Sequence, residues 1–187
     1  MYLLEDDVSD KVWLVDIGTT ILPIPKGKKV AGVFITHTHI DHIQGVNALL
    51  ERYPDCVLYT SEEGKRGLYD DKINLTFYHE EPLCYNGGEI HLIREGDTIP
   101  LFDTIKMQVM ETPGHHPSCL SFKADKWLFT GDSFIPDKPV VTKLKGGNRE
   151  QAKQSRNRLL SIIDGGMIVC PGHGKIYWNI DCYEKLH

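Results

Sequence analysis

The segment T-H-T-H-I-D-H (36–42) constrains this chain more than any other, because it sets His37, His39, Asp41 and His42 within six residues. The apolar run AGVFIT (31–36) leads into it and the pattern IQGVNALLERY (43–53) follows, so the cluster sits where a strand turns into a helix. His37 and His39 are two apart in extended backbone and project to the same side. Asp41 and His42 fall in the first helical turn and address a second locus nearby. Imidazole and carboxylate are the ligands that suit zinc, iron or manganese.

Three later segments supply what this cluster lacks. E-T-P-G-H-H-P-S (111–118) carries His115 on a Gly/Pro loop after a strand. L-F-T-G-D-S (128–133) puts Asp132 at a strand end, behind a glycine that permits close backbone approach. C-P-G-H-G (170–174) carries His173 on another Gly/Pro loop. Ligands on loops at strand ends, gathered by a rigid scaffold, are the usual way a site is built.

Short β-type runs make up most of the rest: VWLVDI (12–17), CVLYT (56–60), IKMQVME (105–111), CLSFK (119–123), KWLFTGD (126–132) and MIVC (167–170). Several are nearly continuous apolar runs, as expected for strands covered on both faces. IHLIREGDTIPL (90–101) reads as two short strands about a turn at Gly96-Asp97. One helix is expected from near Asp41 through Tyr53, with Val46, Leu49, Leu50 and Tyr53 on one face. A second is expected over roughly 149–163, with Asn148 as N-cap, Gln151 three residues on, and Gly165-Gly166 at its end. Strands interspersed with few helices point to a layered α/β protein, and 187 residues suit a single domain over 1–187.

Charge narrows the partners. The net charge is −5, with residues 1–100 at −8 and residues 101–187 at +3. An acidic chain is poorly suited to holding nucleic acid by its whole surface. Five widely spaced cysteines with no C-x-x-C pair argue against a disulfide framework. The amino terminus does not read as a signal peptide, and no run approaches the roughly 20 apolar residues of a membrane span. The expectation is a reduced, cytoplasmic protein acting on a small molecule, with no membrane partner.

Taken in order, THTHIDH, TPGHHP, FTGDS and CPGHG resemble the metallo-β-lactamase superfamily, nearest to its glyoxalase II-like hydrolases, and LVDIG (14–18) matches the strand before the histidine motif. The resemblance implies a four-layer αββα sandwich of two mixed sheets flanked by helices. It implies two divalent metal ions, zinc before iron or manganese. His37, His39 and His115 would hold the first, and Asp41, His42 and His173 the second, with Asp132 bridging. Two cations about 3.5–4 Å apart need such a shared carboxylate to offset their repulsion. Asp41 and Asp132 are the expected catalytic residues, a metal-bridging hydroxide the nucleophile, and a small-molecule ester or thioester the substrate. The same motifs also occur in phosphodiesterases and nucleases of the fold, and in persulfide dioxygenases that bind one iron.

The chain also departs from the family. It reads as lacking the first strand, which would leave a sheet edge for a second copy to cover as a homodimer. Segment 19–30 is too short and Pro-broken for the helix often found before the histidine motif. The glutathione-binding helical domain of glyoxalase II has no counterpart, which weighs against glutathione thioesters proper. Asp16 reads either as a hydrogen-bond partner of a ligand histidine or as a turn-stabilising carboxylate. His116 reads as substrate-facing or as an exposed loop histidine. Lys143 and Lys145, in a segment (138–158) with seven Lys/Arg and the single acid Glu150, are candidates to meet an anionic substrate group. His79, His91 and His187 read as surface residues, and Cys119 and Cys170 as core.

Overall fold

The computed structural model describes residues 1–19 and 23–178; Cys182 and His187 lie outside them, as does part of segment 19–30. Two compact units divide the chain, Met1–Ile93 and the residues from Arg94 onward.

The first unit is built on a five-stranded mixed sheet in the order β1-β2-β3-β4-β5. Its strands are β1 (Tyr2–Glu5), β2 (Lys11–Val15), β3 (Lys29–Phe34), β4 (Val57–Thr60) and β5 (Ile90–Leu92). β1 runs antiparallel to β2, and the others pair in parallel. Four consecutive residues of β2, Val12 to Val15, are buried, which is why that run shows no polar alternation. Helices α1 (Ile40–Ile43), α2 (Val46–Arg52) and α3 (Glu62–Tyr69) and a short 3-10 turn (Thr76–Tyr78) accompany the sheet. Ile43, Val46, Leu49 and Leu50 pack into one core with Leu14, Val33, Ile35 and Leu58.

Two expectations need correcting here. The first strand is present: β1 pairs with β2 along its whole length, Tyr2 opposite Val15 and Glu5 opposite Val12. Its half-exposed YLLE sequence is too short to stand out as a strand, and β1, rather than β2, forms that edge of the sheet. The expected helix from Asp41 to Tyr53 is broken at Gln44-Gly45, where the Gly45 amide turns aside to donate to the carbonyl of Ile17. The described part of segment 19–30 carries no helix.

The second unit is built on a six-stranded mixed sheet, β11-β10-β9-β8-β7-β6. It contains β6 (Thr98–Pro100), β7 (Lys106–Glu111), β8 (Leu120–Ala124), β9 (Trp127–Gly131), β10 (Ile168–Pro171) and β11 (Tyr177–Trp178). α4 (Arg149–Ile162) starts as expected, with the Asn148 side chain accepting from the Gln151 amide at 3.0 Å. Its Leu159 packs with Leu128, Phe134, Met167 and Val169. The two strands read about Gly96-Asp97 exist, but they do not form a hairpin. β5 pairs with β4 and β6 with β7, because Gly96 and Asp97 exchange backbone bonds with Val109 of β7.

Candidate metal-binding site

The first unit gathers four of the expected ligands beyond the end of β3. His37, His39 and His42 are buried at 0%, 7% and 3% exposure, while the Asp41 side chain is 47% exposed. β3 ends at Phe34, His37 and His39 follow it, and the short α1 then carries Asp41 and His42. Asp41 Oδ2 lies 3.8 Å from His42 Nε2.

Asp16 orients this cluster. It follows β2 with φ 57°, a left-handed conformation uncommon for a non-glycine residue. Its Oδ1 accepts from the Thr36 amide at 2.7 Å, and its Oδ2 accepts from the Thr36 hydroxyl at 2.8 Å. The same Oδ2 is 2.7 Å from His42 Nδ1. A carboxylate can only accept, so His42 carries its proton on Nδ1 and presents Nε2 as a lone pair. The Thr36 hydroxyl has spent its one hydrogen on Asp16. His37 Nδ1, 3.2 Å from that oxygen, is therefore the donor, and His37 Nε2 is the lone-pair nitrogen. His37 Nε2 in turn lies 3.2 Å from His39 Nδ1. That separation is close to the edge of a ligand tetrahedron with metal–nitrogen bonds of about 2.0–2.1 Å. Both readings of Asp16 thus hold: it braces the turn and it fixes a histidine.

The second unit gathers the other three. β9 and β10 run parallel with Gly131 opposite Pro171, and the Gly172 amide donates to the Gly131 carbonyl. Asp132 and His173 therefore leave neighbouring strand ends together. Asp132 Oδ2 is 3.4 Å from His173 Nε2 and 3.6 Å from His115 Nε2. His115 Nδ1 lies 2.8 Å from the carbonyl of Val141, which can only accept, so Nε2 is the lone-pair nitrogen here as well. The loop of His115 is pinned from several sides. Ser133 Oγ donates to the Thr112 carbonyl, Ser155 Oγ to Pro113, and the Asn148 amide to Gly114.

The remaining candidates separate. His116 is buried at 2% exposure, not an exposed loop residue, and the Ser118 hydroxyl stands 2.7 Å from its Nδ1. Lys143 and Lys145 are exposed on the segment between β9 and α4. His79 and His91 are exposed, and Cys119 and Cys170 buried, as expected. Sequence reading missed Thr36, which relays Asp16 to His37, and the Val141 carbonyl. Thr36 stands inside the motif, but a threonine beside a histidine does not by itself mark a relay, and a backbone acceptor 26 residues from its histidine leaves no trace in residue identity.

Metal-type ligand clusters just beyond strand ends, carried by two mixed sheets with few helices, define the class: an α+β metalloprotein fold with its histidines and carboxylates on the turns that follow strands. The sequence signature of the metallo-beta-lactamase superfamily matches residues 2–173, and the chain belongs to that superfamily. It is 31% identical over 148 residues to a hydroxyacylglutathione hydrolase of Xanthomonas euvesicatoria, covering 79% of this chain and 49% of that protein. A hydroxyacylglutathione hydrolase of Psychromonas ingrahamii is 29% identical over 175 residues, covering 91% of this chain and 59% of that protein. The chain thus spans about half the length of the curated relatives it matches. Among solved structures, the B3 metallo-beta-lactamase BLEG-1 superposes with a TM-score of 0.80 at 23% identity, over 94% of this chain and 86% of that one. A protein crystallised in a di-iron-bound form superposes with a TM-score of 0.73 at 24% identity, over 95% and 88%. Among the described residues, no helix is long and apolar enough to cross a membrane.

Proposed function

We propose that the two clusters act together as one binuclear centre and that the chain is a metal-dependent hydrolase of small-molecule esters or thioesters. The observation that carries this reading is the position of Asp132: one carboxylate oxygen within 3.6 Å of the Nε2 atoms of both His115 and His173. In the proposal His37, His39 and His115 hold one ion, Asp41, His42 and His173 the other, and Asp132 both. The donor set is imidazole and carboxylate without thiolate, and each braced histidine presents Nε2 as its lone pair, which suits divalent zinc, iron or manganese, with zinc the proposed ion. When bound, the ions would supply a water acidified towards neutral pH and Lewis-acid polarisation of the scissile carbonyl.

The chain's own residues do the rest. Asp16, Thr36 and the Val141 carbonyl hold His42, His37 and His115 in the one tautomer that offers Nε2. Asp41, half-exposed beside buried His42, is the carboxylate with access to solvent and can carry a proton between water and the leaving group. In the proposal exposed Lys143 and Lys145 attract an anionic part of the substrate, and His116 lines its approach. The similarity to hydroxyacylglutathione hydrolases supports a thioester over other carbonyl substrates. The reading includes a single working domain over 1–187 and a reducing, cytoplasmic setting.

The test is elemental analysis of the purified protein beside a panel of thioesters, oxygen esters and phosphodiesters. Two ions per chain with thioester turnover are expected. Turnover of phosphodiesters alone would replace the assignment with a phosphodiesterase, and one iron per chain with oxygen consumption would replace it with an oxygenase.

A further inference from the structure

In the second unit, a cleft of about 820 Å³ lies between segment 136–143 and α4. That volume is within the range of small-molecule sites, about 300–1,000 Å³. Its walls are apolar at Pro139, Val140, Val141 and Ala152. Its charge is nearly all of one sign: Lys138 and Lys143 from the segment, and Arg149, Lys153 and Arg156 from α4. The α4 residues are spaced four and three apart, so they share one helix face.

This one-sided face is not explained by neighbouring acids. Among the described residues none of these five cations forms an ion pair, whereas Arg158 on the same helix is bound by Glu95. The one acid lining the cleft, Asp137, is already engaged: it accepts from the Tyr177 hydroxyl at 2.6 Å and has Lys175 at 4.0 Å. Arg156 is half-buried with its guanidinium 5.5 Å from the centre of the Phe134 ring, which holds it in place without neutralising it. Like charges at helical neighbour spacing destabilise a helix, and Arg149 in the first turn also opposes the helix dipole.

We propose that this cleft binds a small molecule carrying two or more phosphate groups, held by Lys138, Arg149, Lys153 and Arg156. A single carboxylate would leave most of these cations unmatched, while linked phosphates offer several acceptor oxygens to guanidinium forks. The phosphates can come from the thiol half of a thioester substrate or from a separate ligand. The proposal goes beyond the hydrolase reading and does not depend on it.

The test is calorimetric titration of the metal-loaded protein with adenosine diphosphate, with adenosine as the uncharged control. Adenosine diphosphate should bind with a Kd of about 1 mM or tighter and adenosine should not bind detectably. The variant Arg149→Gln/Lys153→Gln, both positions being exposed, should weaken binding about tenfold or more, with circular dichroism confirming that it folds. The pair Lys153→Gln/Arg156→Gln should do the same. No binding, or equal binding by wild type and both variants, would overturn the proposal, the latter assigning the phosphates to the metal ions instead. Binding of a short single-stranded RNA about tenfold tighter than the nucleotide would also overturn it, in favour of a nucleic-acid surface.

Thioesters of a phosphorylated and of a neutral thiol distinguish the sources. A KM raised by the variants for the phosphorylated thioester alone places the phosphates on the substrate. Unchanged KM values with weakened nucleotide binding assign them to a separate ligand. Because the titration needs no turnover, it decides the site even if no thioester is hydrolysed.

Discussion

Asp16 Oδ2 lies 2.7 Å from His42 Nδ1, joining the end of β2 to the helical turn that follows β3. The two residues are 26 positions apart, and the contact decides which nitrogen of His42 carries the proton. Asp16→Asn keeps the size of the side chain but can set an amide N–H against His42 Nδ1, favouring the opposite tautomer. Metal affinity should fall about 10- to 100-fold in the fully folded variant, as measured by chelator competition. Unchanged affinity would show that Asp16 only braces the turn through Thr36.

Asp132 and His173 should differ in their effect on metal content. His173→Ala is expected to keep about one ion per chain, because in the proposed centre it serves only one of the two. Asp132→Ala should lose most of both. Elemental analysis after dialysis decides between them, and two ions retained in either variant would remove the shared role of Asp132.

Gly114 directly precedes His115 and sits at φ 132°, where side chains are strained. A Cβ there would stand 2.2 Å from the backbone nitrogen of Ala152 in α4, an atom that cannot rotate away. Gly114→Ala is expected to cost about 2–4 kcal/mol in denaturant unfolding. A loss within experimental error would mean that the loop and α4 part without cost.

The pairing of Glu95 with Arg158 should show in the pH dependence of stability. The Arg158 hydrogen bond holds the Glu95 carboxyl below its usual 4.5. A depressed carboxylate contributes stability above the unfolded pKa and loses it as the pH falls through the folded one. Both side chains are more than a third exposed, so solvent screening limits the pair to about 0.2–1 kcal/mol. Glu95→Gln should therefore be less stable than wild type at neutral pH, and the difference should vanish in acid. A difference that persisted at low pH would point to lost packing instead.

Cysteine labelling should divide the thiols by burial. Desolvation pushes Cys56 and Cys170 up to about 12, while Cys84 is exposed. Iodoacetamide at neutral pH should modify Cys84 and leave the Cys56 and Cys170 peptides unlabelled in the native protein. Since no thiol belongs to the proposed centre, labelled protein should retain its hydrolytic activity; loss of activity on Cys84 alkylation would argue otherwise.

What could be read along the chain was whatever depends on near neighbours. The spacing of His37 and His39, the loops that carry His115 and His173, the glycine before Asp132 and the cap of α4 are local patterns whose physics is complete within a few residues. The break at Gly45 depends on the Ile17 carbonyl, and the division of Ile90–Leu92 and Thr98–Pro100 between two sheets depends on β4 and β7. β1 is a strand because β2 lies beside it, not because YLLE demands one. The same separation runs through the site. Residue identity alone determined which side chains are suited to a metal. Only the fold decided which nitrogens they offer, because the protons of His42 and His115 are placed by Asp16 and by the Val141 carbonyl, each 26 residues away, and a hydrogen bond across that distance exists only once the strands and loops have packed.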